Sequence, residues 1–548
     1  MKYTDNFVKT YEESFRRNFE LPALSDYGTD ISFTYKELAV EIEKLHILFE
    51  EYSVGEGEKI ALIGKNSSYW GVIYLATMTY GAVVVPILQD FPPDDVHHII
   101  EHSGATLFFV SEAIMKNLDR KKMPGLRELF TYEDRGLSAI GERNLQKELT
   151  EKFGKKFPSG YLEDDVCFRE IPNERVMILN YTSGTTGFSK GVLLTGDNLV
   201  GNLIYARYTI GLKRGDRMVS LLPLAHAYGG AFEFLLPIQE GCHAVFLGKT
   251  PTPSILLKAF GEIKPNLIIA VPLILEKIYK RMIVPVISKK SMAVLLKIPG
   301  INSLIYSTIR KKLINAFGGQ FIQVVIGGAP LNAEVEAFLL KIKFPVSVGY
   351  GMTECAPLIS FSLYKDYIKY SCGKILPNME VRIDSLDPYN TVGEIQVKGQ
   401  NVMQGYYNNE EATSHIFTDD GWLKTGDLGT IDRNNNIFIR GRSKNMLLGP
   451  SGQNIYPEGI EAKLDNLPFV AESVVVGRDN KLVALVFPDL EAASQAGIKQ
   501  DELKNIMESN LAALNKSVAS YEKVAEIELR DKEFEKTPKK SIKRYMYS

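Results

Sequence analysis

The sequence has few of the residues that build metal clusters and disulfide frameworks. Its 548 residues hold four cysteines (Cys167, Cys242, Cys355 and Cys372), none in a CxxC pair, and seven histidines with no HExxH spacing. This argues against a zinc site or a disulfide scaffold and fits a reducing cytoplasm. Neither sign of charge is in excess. The 64 basic and 66 acidic side chains leave a net charge of −2, which gives no bulk attraction to nucleic acid. The opening run MKYTDNFVKTYEESFRRNFE lacks an apolar core, so no signal peptide is expected there. Long apolar runs are scarce too. Trp70 to Leu88 is uncharged, but Gly81 divides it, and a buried helix followed by a buried strand is expected rather than a membrane span. His97, His98 and His102 follow an Asp-Asp helix start and are expected on a solvated helix face.

What is present is a long alternation of strand and helix. Thr34 and Glu37 form a capping box, and the helix behind it places Leu38, Ile42, Leu45 and Phe49 on one face. Strands are expected at Lys59–Ile63, Ala82–Leu88 and Ala105–Val110, with helices from Ser67 and near Pro93. Asp197 or Asn198 caps a further helix through Ala206. More strands are expected at Arg217–Leu222, His243–Leu247, Leu267–Ala270, Gln323–Ile326 and Val346–Val348. This pattern reads as α/β with a mostly parallel sheet. From about residue 390 it changes to short strands and tight turns at Gly393–Lys398, Trp422–Lys424, Thr430–Ile431 and Ile437–Ile439. After Gly441 it becomes α+β: a helix from Pro457, a hairpin Glu472–Gly477/Leu482–Phe487, a helix Asp501–Leu514 and a strand Ala525–Leu529. The expected organisation is a large N-terminal domain, residues 1–441, of α/β subdomains plus a small β-rich subdomain. A small mobile α+β C-terminal domain, residues 442–548, follows, with a hinge near Lys444.

The most informative stretch runs from Tyr181 to Gly191. Gly184, Gly187 and Gly191 allow close backbone approach to a ligand. Thr182, Ser183, Thr185 and Thr186 offer hydroxyl donors for phosphate oxygens, successive N–H groups can form an anion nest, and Lys190 supplies a cation. The spacing is not that of a Walker loop, because Phe188 and Ser189 separate Gly187 from Lys190. Strands Val176–Asn180 and Val192–Thr195 bracket the loop, whereas a Walker loop opens a helix. Two more glycine-rich turns follow strand ends: Gly327-Gly328-Ala329-Pro330 and Gly349-Tyr350-Gly351-Met352-Thr353-Glu354. In open α/β sheets ligands sit beyond such strand ends.

The phosphate stretch closely resembles the signature of the acyl-activating, adenylate-forming superfamily, which includes acyl-CoA synthetases, luciferases and peptide-synthetase adenylation domains. Ser189 stands where that family usually has proline, and Gly196 where it often has histidine. The resemblance implies that Gly328, Ala329, Pro330 and Gly351 border the adenine and that Tyr350 stacks on it. It implies that Thr353 contacts the α-phosphate, that Glu354 is the metal ligand for Mg²⁺, and that Asp427, in Thr425-Gly426-Asp427, accepts the ribose hydroxyls. Arg442 would contact the nucleotide and Lys444 would be the pivot. His226, Tyr228 and Gly229 resemble the motif beside the acyl tunnel. Gly452 opens a stretch, with Gly459 where glutamate is common, that resembles the pantetheine channel. At the C-terminus the family's catalytic lysine aligns with Ser541. Lys540, one residue away, is the candidate substitute, and Lys539 is the next.

The resemblance implies ATP and Mg²⁺, with coenzyme A as co-substrate, and an acyl-AMP intermediate passed to a thiol. The segment Val271–Lys280 and the helical insertion that runs to about Phe317 resemble the long-chain fatty acyl-CoA synthetase branch. That insertion mixes apolar and basic residues, and peripheral contact of a cytoplasmic enzyme with a membrane surface is an expectation from it. Two alternatives stay open at this point: an acyl-AMP ligase that loads an acyl carrier protein, and an adenylate-binding homologue with weak turnover.

Overall fold

The computed structural model describes residues 1–133, 135–138, 144–182, 189–448, 453–478, 481–537 and 542–547. The capping box forms as expected: Thr34 accepts from the Glu37 N–H and Glu37 reaches back to the Thr34 N–H. The helix Tyr35–Glu51 buries Leu38, Ile42, Leu45 and Phe49 completely. The uncharged run becomes a helix, Ser68–Tyr80, with every residue buried, then the buried strand Val83–Ile87, with Gly81 at φ +91° between them. Burial on all sides of that helix explains its lack of a polar face. Among the described residues no helix is long and apolar enough to cross a membrane.

Among the described residues the largest sheet has eight strands. Its parallel centre orders Val176–Thr182, Val83–Ile87, Lys59–Ile63, Leu107–Ser111 and Glu128–Glu133 side by side. Lys190–Thr195 and then Gly405–Tyr406 extend one edge in antiparallel sense. A second sheet carries Arg217–Ser220 and His243–Phe246 beside Pro22–Asp26 and Ser32–Thr34. A bridge from Met218 to Leu267 joins it to a third, parallel sheet of Ile268–Ala270, Val324–Ile326 and Val346–Val348. The antiparallel sheet Met379–Asp384, Gly393–Gly399, Leu423–Ile431 and Ile437–Arg442 follows. Residues 423–431, expected as two short strands, form one, with register shifts at Glu394/Gln396 and Leu428/Gly429. These irregularities make room for the Thr425-Gly426-Asp427 turn within the strand.

Beyond residue 446, separate apolar clusters form around the hairpin Val470–Arg478/Lys481–Pro488, the strand Val524–Leu529 and the helices Pro457–Leu464 and Gln500–Ser517. Two expectations need correction. The helix after the phosphate loop is capped by Thr195, two or three residues earlier than expected, with Asn198 as its capping-box partner. The histidine cluster is not a solvated face. His97 is 6% exposed and accepts from the Asp119 N–H at 3.0 Å, and His102 Nδ1 lies 2.7 Å from the Tyr181 hydroxyl. The helix Pro93–Ser103 packs its histidine side inward because Tyr181 and the 119 turn offer polar partners there.

Candidate active site

Two glycine-bearing turns and one helix start meet at a single cavity. Gly327–Gly328 follows the strand Val324–Ile326, and Gly349 to Thr353 follows Val346–Val348, so both turns leave the same edge of the parallel sheet. Gly328 has φ +84°, and a Cβ on Gly327 would stand 2.8 Å from the Tyr228 ring. Tyr228 is held by its hydroxyl, which donates to the Val325 carbonyl at 3.2 Å. His226 caps the short helix that carries Tyr228 by accepting from its N–H at 3.4 Å. His226, Tyr228, Gly328, Tyr350, Gly351 and Thr353 line the cavity. Much of the rest of its lining is apolar or aromatic, including Tyr205, Ile210, Phe232, Leu358 and Phe361. Such a lining can take a hydrocarbon but offers it no charged partner, which suits an acid whose carboxylate meets the glycine-rich turns.

Tyr350, Asp427 and Arg442 form one hydrogen-bonded group. The Tyr350 hydroxyl donates to Asp427 Oδ2 at 2.8 Å, and Arg442 Nε lies 2.9 Å from Asp427 Oδ1. Asp427 and Arg442 face each other across neighbouring strands, and this register brings the arginine to the carboxylate. Burial pushes the Asp427 carboxyl up, while the Arg442 charge and the Tyr350 hydroxyl oppose the shift.

Glu354 is half-buried beside Thr353, and its Oε1 accepts from the Tyr406 hydroxyl at 2.8 Å. The Lys190 ammonium lies 5.0 Å from the centre of the same Tyr406 ring. Among the described residues no group of three or more His, Cys, Asp or Glu side chains could hold a metal ion. A lone carboxylate fits Mg²⁺ only when nucleotide phosphates and water complete its shell, which is how Mg²⁺ is commonly held.

Some expected site residues lie elsewhere or outside view. Gly229 does not line the cavity; a Cβ on it would be 2.6 Å from the Pro223 carbonyl oxygen, so it serves close packing of helix on loop. Ala329 and Pro330 are exposed beyond the Gly328 turn. Thr182 and Lys190 pair across a hairpin, the Thr182 hydroxyl donating to the Lys190 carbonyl at 3.5 Å. The residues between them that were expected to bind phosphate, Ser183, Gly184, Thr185, Thr186 and Gly187, lie outside the described residues. Gly452, Lys539, Lys540 and Ser541 lie outside them too. The flanks of the last three are anchored: Lys536 pairs with Glu472 at 2.6 Å, Arg544 pairs with Glu461, and Phe534 is buried. Sequence reading passed over Tyr406 and Glu233. The Tyr406–Glu354 bond spans 52 residues and leaves no periodic signal, and Glu233 looks like an ordinary helix-surface acid until its burial is seen.

This architecture is the adenylate-forming enzyme fold, with its large N-terminal and small C-terminal parts. The chain belongs to the AMP-binding enzyme family: that family's sequence profile matches residues 11–407, and the profile of the AMP-binding enzyme C-terminal domain matches residues 445–547. A long-chain-fatty-acid–CoA ligase of Mycobacterium bovis is 29% identical over 493 residues, spanning 85% of this chain and 78% of the relative. A long-chain-fatty-acid–CoA ligase of Gallus gallus is 26% identical, spanning 84% of this chain and 64% of its own. Among solved structures, ATP-bound MatB from Rhodopseudomonas palustris superposes with a TM-score of 0.76 at 23% identity, covering 98% of both chains. An anthranilate CoA ligase in complex with anthranoyl-AMP gives 0.78 at 20% identity, covering 100% of this chain and 96% of that one.

Proposed function

We propose that the protein is an AMP-forming acid–CoA ligase acting on long-chain fatty acids. The observation that carries the reading is the shared cavity, lined by apolar and aromatic side chains together with His226, Gly328, Tyr350 and Thr353, with Glu354 next in chain. Family membership supports the nucleotide chemistry, and the names of the relatives support the acid and the thiol. An oxygen of the acid's carboxylate attacks the α-phosphorus of ATP, and pyrophosphate leaves with its bonding pair. The coenzyme A thiolate then attacks the carbonyl carbon of the acyl-AMP, and AMP departs.

In this reading Lys190 and the loop N–H groups ahead of it grip the phosphates, and Thr353 donates to the α-phosphate. Tyr350 and Asp427 hold the nucleoside, and Arg442 is released from Asp427 when ribose takes its place. Mg²⁺ on Glu354 would neutralise charge on the departing pyrophosphate. Lys540 would bridge carboxylate and phosphate from a segment whose flanks are pinned to the C-terminal domain. The domain would pivot at Lys444, in the exposed turn Ser443–Asn445, between the two half-reactions.

The insertion adds a place to collect the acid. From Lys277 to Lys312 every charged side chain is basic, and Val294 and Leu304 are 63% and 71% exposed. Peripheral contact with an anionic bilayer follows from that pairing of charge and apolar surface. Cosedimentation with anionic vesicles but not with neutral ones is expected, and failure to bind either removes this part of the proposal.

The main test measures pyrophosphate release across acids from acetate to stearate, with and without coenzyme A. Release with long acids and thioester formation with free coenzyme A are expected. Release without any thioester would point to a carrier-protein acceptor. ATP binding with no exchange of pyrophosphate into ATP would leave a binding protein and end the proposal.

A further inference from the structure

Tyr406 touches both Glu354 and Lys190. It lies on the two-residue strand Gly405–Tyr406, which pairs antiparallel with the strand leaving the phosphate loop, Gly405 opposite Leu193 and Tyr406 opposite Val192. Its neighbours tie that pairing down. The Tyr407 N–H donates to the Gly191 carbonyl at 2.8 Å, and the Met403 N–H donates to the carbonyl of Glu354 itself at 2.8 Å. The Thr413 hydroxyl accepts from the Tyr406 N–H at 2.9 Å, and a Cβ on Gly405 would press on that threonine at 3.0 Å. Tyr406 as a whole is 8% exposed. With its backbone fixed at both ends and its ring buried, the hydroxyl has one direction to point: it reaches Glu354 Oε1 at 2.8 Å.

We infer that Tyr406 is a positioning residue that presents the Glu354 carboxylate to the metal accompanying the nucleotide and couples it to the phosphate-loop lysine. The inference rests on the adenylation reading above. The hydroxyl holds Oε1, and among the described residues Oε2 has no hydrogen-bond partner, so one oxygen is fixed and the other remains for a cation. The ring beneath Lys190, at 5.0 Å from its ammonium, steadies that cation over the same spot. One side chain thereby sets the distance between the group that meets the metal and the group that meets the phosphates. A carboxylate left to rotate would lose that preset orientation before the metal arrives, and the loss appears as weaker metal binding.

The test uses the full chain and Tyr406→Phe, which keeps the ring under Lys190 and removes only the hydroxyl. Two readouts are needed. In calorimetry, ATP binding in excess chelator should stay at the wild-type value, while the gain in ATP affinity on adding Mg²⁺ should shrink about tenfold, the worth of one hydrogen bond to a charged group. In pyrophosphate release, the Mg²⁺ concentration for half-maximal rate should rise about tenfold, with the rate at saturating Mg²⁺ within about threefold of wild type. Tyr406→Leu, which also removes the ring, should weaken ATP binding in chelator as well. In a Glu354→Gln background, Tyr406→Phe should add no further loss of Mg²⁺ response. A wild-type Mg²⁺ response in Tyr406→Phe overturns the inference. Equal losses with and without Mg²⁺, or losses that simply add in the double variant, overturn it as well, since both mean a packing role. If wild type makes no AMP from any acid, the adenylation reading fails, and the calorimetric arm still decides whether Tyr406 tunes the metal.

Discussion

Asp427 shows how one carboxylate is asked to serve two partners. Both of its oxygens are engaged, by Tyr350 and by Arg442, and it is 5% exposed. Asp427→Asn keeps the shape and removes the charge, so the ATP KM is expected to rise about tenfold or more, with a smaller change in kcat. Steady-state kinetics at saturating acid would show it, and an unchanged ATP KM would remove Asp427 from the nucleotide site. Glu233 is a second buried acid. Its Oε2 accepts from the N–H groups of Leu221 and Leu222 at 2.9 and 2.8 Å and from the Ser220 hydroxyl at 3.2 Å. Burial pushes its carboxyl from the ordinary 4.5 up to about 8, against the pull of those donors. The folded state therefore holds the proton more tightly than the unfolded chain does. The resulting stabilisation is present below the ordinary value and is lost as pH rises toward 8. Glu233→Gln should flatten the decline of Tm between pH 5 and pH 9, and a parallel decline in both proteins would mean that this group does not titrate there.

At the scale of elements, the start of the helix after Leu224 is set by close contact. Asn66 donates to the Leu222 carbonyl at 2.7 Å and accepts from the Leu224 N–H at 3.1 Å, while Glu233 grips the same loop from the helix side. The stretch Gly230–Leu235 is π-helical, a form that recurs beside functional sites. Gly229→Ala puts a methyl 2.6 Å from the Pro223 oxygen, which the loop can relieve only by moving away from the cavity wall. A loss of about 1–3 kcal/mol in stability and a raised acid KM with little change in ATP KM are expected. Equal shifts in both KM values would instead indicate general loosening. The Thr195 cap is a simpler case. Thr195→Ala should cost about 1 kcal/mol, visible as a lower Tm with the kinetics retained.

At the scale of the whole molecule, the C-terminal segment meets the larger part at few polar points among the described residues. Asn332 and Asn466 share a hydrogen bond, and Arg442 pairs with Asp427 at 2.9 Å. Sparse contact of this kind suits a domain that turns. Lys444→Pro should leave acid-dependent pyrophosphate exchange within a few-fold and reduce thioester formation about tenfold or more, because in the proposed mechanism only the second half-reaction needs the turn. Loss of both together would count against the pivot. Lys540→Ala should slow pyrophosphate release about a hundredfold, and Lys539→Ala much less.

The sequence by itself determined the α/β alternation, the uncharged helix–strand pair at 68–87, the strand–loop–strand setting of the phosphate stretch and the two glycine-rich strand ends. Each of these is local: a periodicity, a cap or a residue type at a fixed offset carries it. Tertiary structure decided that His97 and His102 turn inward, that Tyr350, Asp427 and Arg442 close into one group, and that Gly229 packs rather than lines. It also placed Tyr406 between Lys190 and Glu354. Those outcomes depend on strand register and on which side chains far apart in the chain meet. One chain read alone gives each side chain's chemistry, but its neighbours follow from how the sheets assemble.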